Sequence, residues 1–133
     1  METKYLKFLS GCVANGLPEP EQEAQFAKEY GRKWKTDFMF THPNGKRIAV
    51  EIEGGAFSGG RHTRGVGFTK DMEKYNVYSM MGITLLRFTS QQADKEPILC
   101  GKWIKTVFDG LVDATLFQTL KQRICKQIKI PLK

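Results

Sequence analysis

Cysteine is scarce in this chain and histidine scarcer, three of one and two of the other in 133 residues. Cys12, Cys100 and Cys125 are odd in number, far apart and in no CxxC pairing, which argues against both a disulfide framework and a structural zinc site. They are expected to be reduced thiols. Long apolar runs are also missing: no stretch approaches the roughly eighteen uncharged apolar residues that a membrane span needs. The N-terminal METKYLKFLSGC, with Glu2 and alternating lysines, lacks the charged-then-apolar layout of a secretory signal. A soluble, cytoplasmic protein with no membrane partner is therefore expected. No internal repeat or low-complexity tract interrupts the chain, and its length suits one compact domain over 1–133 rather than two.

What is present is a globular composition, 41% hydrophobic and 26% charged, in which acidic side chains are the minority. Lys and Arg number 21 against 14 Asp and Glu, a formal net charge of +7. That balance suits a chain that approaches a polyanion. An acidic membrane surface would compete for this role, but the basic C-terminal segment lacks the Trp- and Phe-rich apolar face of an interfacial helix. Nucleic acid is the favoured partner.

Periodicity predicts the following elements. A helix is expected over 18–30, where PEPEQEAQFAKEY opens on prolines and glutamates and stops at Gly31. A strand follows over 34–41, with Trp34, Thr36, Phe38 and Phe40 on one face and Lys35, Asp37 and Met39 on the other. Residues 42–46 are turn chemistry, because Asn44 and Gly45 tolerate the positive φ of a tight hairpin. The return strand, Arg47 to Glu53, sets Ile48, Val50 and Ile52 against Ala49, Glu51 and Glu53. A loop with six glycines covers 54–67. A helix over 68–81, spaced by Phe68, Met72, Tyr75 and Ser79, ends at Gly82. A strand over 83–89 and helical sequence over 97–129, broken near Gly110, complete the chain. This order predicts an α/β fold with a right-handed crossover and a mixed sheet flanked by helices, its core at about 18–90 and a C-terminal helical segment at about 97–130.

Glu51 and Glu53 share a strand face, and the hairpin partner can bring Asp37 beside them. Carboxylates at that range repel and raise one another's pKa unless a cation sits among them. Oxygen-rich, sulfur-free and poor in histidine, such a site suits Mg2+ or Mn2+. Two acids on one strand also describe a solvated sheet face; here, however, the strands are otherwise apolar and lead into a glycine-rich, arginine-bearing loop.

Five blocks in order, RKWKTD (32–37), AVEIEGG (49–55), GGRHTRG (59–65), DMEKYN (71–76) and LLRFT (85–89), resemble small phage and prophage endonucleases of the PD-(D/E)XK superfamily and, more distantly, the very-short-patch repair endonucleases. The similarity spans about Glu23 to Thr89. It implies a restriction-endonuclease-like core, with Asp37 as the Asp of the PD motif, here preceded by Thr36, and Glu51 at the (D/E) position. These two would hold the metal together with a strand carbonyl. Glu53 stands where the pattern has Lys, so either Glu53 binds metal itself or a cation arrives from elsewhere. Lys74 on the following helix is the candidate, with Lys70 one turn earlier on the same stripe. Glu23 matches a further acid that superfamily members place near the metal, with Glu21 and Glu29 as rivals.

His62, between Arg61 and Arg64 on the glycine loop, could serve as general base or as acid to the leaving group. The two arginines suit phosphates. Asp71, Asn76 and Arg87 fall inside the matching blocks and are candidates for bracing the site or touching DNA, although caps and ion pairs look the same. Ile124 and Ile128, four apart in KQRICKQIK, suggest an amphipathic helix whose basic side extends a DNA-binding surface. The expectation is an Mg2+-dependent endodeoxyribonuclease, phage or prophage encoded. The alternatives are a Holliday-junction or branched-DNA resolvase acting as a homodimer, and a DNA-binding module without catalysis.

Overall fold

The computed structural model describes residues 5–54, 65–110 and 118–123, the side chains of 65–70 excepted. Its elements are α1 (Leu6–Ala14), β1 (Glu21–Ala24), a 3-10 turn (Lys28–Tyr30), β2 (Thr36–Thr41), β3 (Arg47–Glu53), α2 (Gly65–Met80), β4 (Ile83–Thr89), α3 (Ser90–Lys95) and α4 (Pro97–Asp109). The four strands lie in the order β1-β2-β3-β4, antiparallel except for the parallel pair β3 and β4. This is an α/β fold with a mixed sheet flanked by helices, as element order predicts.

The hairpin between β2 and β3 has local causes. Gly45 takes φ +94°, its N–H donates to the His42 carbonyl at 2.8 Å, and Asn44 Oδ1 accepts from the Lys46 N–H at 2.9 Å. These bonds close the turn with side chains that need no tertiary help. Alternation then sends Phe38, Phe40, Ile48, Val50 and Ile52 into one core beneath α1 and α4, joined by Phe8, Phe88, Ile104 and Phe108. Met39 and Ala49 face the other way, into a smaller core with Phe26, Tyr78 and Ile83. Phe40, Ile48 and Val50 are wholly buried, each contributing about 1.5–3 kcal/mol of apolar burial.

Three expectations are corrected and one helix is added. Residues 18–30 are not a helix: Glu21–Ala24 is an edge strand paired with β2 and only Lys28–Tyr30 is helical, as a 3-10 turn. The apolar residues there, Ala24, Phe26 and Ala27, are too few to make a helical stripe, and pairing with β2 satisfies the backbone instead. Trp34 does not share a face with Phe38 and Phe40. It precedes the first residue of β2 and stacks on Phe26, 6.3 Å between centroids, in the smaller core. Helix α2 begins at Gly65 and presents Tyr75 and Tyr78 to the sheet, while Met72 and Ser79 are exposed. The expected apolar stripe is displaced because the buried face also carries a lysine, Lys74. Helix α1 belongs to no expected element, since its apolar residues go all round it: Phe8 and Cys12 are buried, Leu6 and Val13 exposed.

Gly82 ends α2 with φ +70°, and Gly110 caps α4 with φ +71°, where a break is expected. A short α3 precedes α4, started by a capping box between Thr89 and Gln92. Residues 118–123 are helical; Cys125, Ile124 and Ile128 lie outside the described residues. Cys12 and Cys100 are buried free thiols, and burial pushes them up to about 12 and about 11. Helices α1 and α4 cross at two buried glycines. A Cβ on Gly101 would stand 2.5 Å from the Gly11 carbonyl oxygen, and one on Gly11 2.1 Å from that of Pro97. Asn15 Nδ2 ties the crossing by donating to the carbonyls of Gly11 (2.8 Å) and Ile98 (3.0 Å). Among the described residues no helix is long and apolar enough to cross a membrane.

Candidate active site

The register of the hairpin builds the site. Phe38 pairs with Val50 and Met39 with Ala49, so one further step brings Asp37 level with Glu51 on the face that α2 covers. Asp37 Oδ2 accepts the Ile52 N–H at 2.7 Å. On its other side β1 pairs Gln22 with Phe38 and Ala24 with Thr36, which sets Glu23 level with Asp37. Glu23 is thus on a strand, not a helix. It is exposed and holds φ +51°, a left-handed conformation that costs a non-glycine residue about 1–2 kcal/mol.

Glu51 is met from above by α2. Lys74 Nζ lies 2.9 Å from Glu51 Oε2 and donates to the Lys35 carbonyl at 2.8 Å. The Tyr78 hydroxyl donates to the same Glu51 oxygen at 2.5 Å. Lys74 and Tyr78 are four residues apart, one helical turn, and so reach a single atom. The side chains of Lys74 and Glu51 are only 17% and 13% exposed, so the pair is less screened than a surface one. Tyr78 is itself buried, and burial together with the bond to Glu51 pushes its hydroxyl well above the usual tyrosine range. It stays a donor at any working pH.

Glu53, the third acid, is drawn elsewhere. Arg87 donates to Glu53 Oε2 through Nε at 3.1 Å and through a terminal nitrogen as well, and its guanidinium lies 4.7 Å from the Tyr75 ring centroid. Burial and the charge of Glu53 push the Tyr75 hydroxyl up to about 12. Asn76 is exposed on α2, two residues from Lys74 and so about 200° round the helix from it. Lys70 belongs to α2 one turn before Lys74, but its side chain lies outside the described set, as do His62, Arg61 and Arg64 altogether.

Of the expected site residues, the fold therefore gathers Asp37, Glu51 and Lys74, with Glu23 beside Asp37. Glu53 and Arg87 form a neighbouring pair. Sequence reading missed Tyr78, although a helix that points Lys74 at the sheet must point residue 78 there too.

Burial is the main force lifting the Asp37 carboxyl above the usual aspartate range; the Ile52 N–H opposes it, Glu51 and Glu23 add to it and Lys74 opposes it. The folded state thus holds the proton more tightly than the unfolded chain. The stability linked to that proton is complete below the ordinary aspartate pKa and is lost as pH rises through the raised folded one. Asp37→Asn keeps an oxygen for the Ile52 N–H and removes the charge. In EDTA it is expected to melt above the wild type at pH 7, with the gap closing near about pH 4. A gap in Tm that does not change with pH would overturn this.

Among the described residues, no three His, Cys, Asp or Glu side chains are grouped so as to hold a metal ion. Mg2+, however, is held by one or two carboxylates plus waters and substrate phosphates rather than by an all-protein cage. Hydrogen bonding among the described residues engages Asp37 Oδ2 and Glu51 Oε2, which leaves Asp37 Oδ1 and Glu51 Oε1 for such an ion. The donor set, two hard oxygens from adjacent strands beside a shielded ammonium, fits Mg2+ or Mn2+. Compared with protein-family models, with curated proteins and with solved structures, the chain matches none of them.

Proposed function

We propose that this protein is a divalent-metal-dependent nuclease that hydrolyses phosphodiester bonds in DNA, built on a restriction-endonuclease-like core. The observation that carries the reading is the placing of Lys74 on Glu51 beside Asp37. Glu53 stands where the motif has a lysine, and a helix delivers an ammonium to Glu51 from another part of the chain. Asp37 and Glu51 would hold Mg2+ or Mn2+, which when bound polarises a phosphoryl oxygen and makes a water nucleophilic near neutral pH. Lys74, held in place by the Lys35 carbonyl, offsets negative charge that grows on the phosphate. Tyr78 fixes one oxygen of Glu51 so that the other keeps its aim. The net charge of +7 favours a polyanion as substrate.

A second reading, a DNA-binding module without catalysis, is favoured by the pairing of Glu51 with Lys74 and of Glu53 with Arg87, which already neutralises both acids. Metal titration separates the two. In the nuclease, Mg2+ or Mn2+ should raise Tm, and go on raising it with the logarithm of concentration above the dissociation constant, because the ion binds the folded state alone; cleavage of linear, supercoiled or branched DNA should appear over the same concentrations. A Tm indifferent to metal, with DNA bound and left intact, would leave the binding module standing.

A further inference from the structure

At the far end of α2 from the Gly65 terminus, a groove of about 440 Å³ opens between the 3-10 turn, the first residue of β3 and the last turn of the helix. Its size is within the roughly 300–1,000 Å³ of small-ligand sites. Tyr30 and Met80 line it and are 66% and 83% exposed; Met81, Val77, Glu29, Arg32 and Arg47 complete the wall. None of these side chains is used by the carboxylate site. Large apolar groups left open to water, flanked by two guanidinium groups, are a feature that folding alone does not require.

We propose that this groove holds an unpaired nucleobase, so that the substrate is a nucleic acid with a single-stranded segment; the proposal rests on the nuclease reading above. Three observations favour this occupant. An exposed tyrosine ring in a lining shared with two methionines offers a flat stacking surface, which a base can meet only when it is not paired, because a duplex hides its base faces. Arg32 lies over the Trp34 ring, 5.1 Å from its centroid. Its acidic partner, Glu73, is 3.8 Å away and both are half exposed, a weak pairing that a phosphate can displace. Arg47 forms no ion pair among the described residues and lies on the same face of β3 as Glu51, four residues or about 13 Å along the strand.

The chain between groove and site supports a strand running from one to the other. Arg32, Lys33 and Lys35 are all exposed there, and the Lys35 carbonyl holds Lys74. A base seated on Tyr30 would thus lie a few nucleotides from the phosphate at Asp37 and Glu51. Among the described residues Glu29 is the only carboxylate in the lining, and it works against a phosphate backbone.

Fluorescence anisotropy on the full chain in EDTA, with single-stranded oligothymidine, blunt duplex and duplex with a single-stranded overhang, tests this. Single strand and overhang are expected to bind more tightly than blunt duplex. Tyr30→Ala should weaken both by about 10-fold, in the range of one stacked base, while Tyr30→Phe, which keeps the ring, should bind as the wild type does. Arg47→Ala should weaken them and flatten the salt dependence, and Glu29→Gln should tighten them. Tyr30 is mostly exposed, so its loss leaves the core intact; equal Tm for wild type and variant confirms this. If single strand and duplex bind alike and neither Tyr30→Ala nor Arg47→Ala moves either, the groove proposal is overturned and the nuclease reading stands. If no nucleic acid binds at all, the nuclease reading falls with it.

Discussion

Asp37→Ala is expected to reduce metal-dependent DNA cleavage by about 100-fold or more, the scale of removing one group that acts on the charge of the transition state. Its carboxylate and that of Glu51 are brought level by the hairpin register, and no other described acid stands in the same place: Glu53 is held by Arg87, and Glu23 is exposed on the edge strand. The loss should appear in kcat and in the metal concentration needed, because both depend on the same oxygens. Stability should hardly suffer. The Ile52 N–H loses its acceptor, which costs about 1–3 kcal/mol if it stays dry, but the charge that burial and the neighbouring acids disfavour goes as well. Single-turnover cleavage of labelled DNA in Mn2+, next to a thermal melt of both proteins, measures the two effects separately. Cleavage that survives the substitution, or that persists for the wild type in EDTA, would sink the proposed mechanism.

Gly11→Ala should produce the largest loss of stability of any Gly→Ala change among the described glycines. The added carbon would meet the Pro97 carbonyl oxygen at 2.1 Å, a contact with backbone that no rotamer change relieves, so α1 and α4 must move apart. Overpacking commonly costs about 1–3 kcal/mol. Here the upper end or beyond is expected, because the same shift breaks the bonds that Asn15 makes across the crossing and pulls Phe8 and Cys12 from the larger core. Against a total stability of about 5–15 kcal/mol, the urea midpoint should fall steeply. Ser10→Ala, one residue away and exposed, should stay within about 0.5 kcal/mol. Equal midpoints for the two variants would show that the helices do not cross as described.

The parts of the site legible in sequence were those with local causes. Asn44 and Gly45 make a turn, alternation assigns faces, and together they bring Asp37 to Glu51 with the bounds of β3 and β4 as expected. Glu23 was legible as an acid near the site but not as a strand residue, because an edge strand of exposed polar residues carries no alternation to read. The rotation of α2 was illegible for a related reason. Its sheet-facing side holds Lys74 and Tyr78, whose ammonium and hydroxyl serve Glu51 and the Lys35 carbonyl, beside Tyr75, so apolar periodicity finds Tyr75 but adds the exposed Met72 and Ser79.

Sequence by itself determined the α/β class, the hairpin, and the meeting of Asp37 with Glu51, since a two-strand register is set by a short turn and a period of two. Tertiary structure alone decided which charges those acids meet. Tyr78 joins Glu51 across 27 positions and Arg87 joins Glu53 across 34, and Lys74 reaches the first carboxylate instead of the second only because α2 packs over β3 in one rotation. That rotation follows from how the helix seats on the smaller core, a sum of contacts with Phe26, Met39 and Ala49 that no spacing within the helix contains.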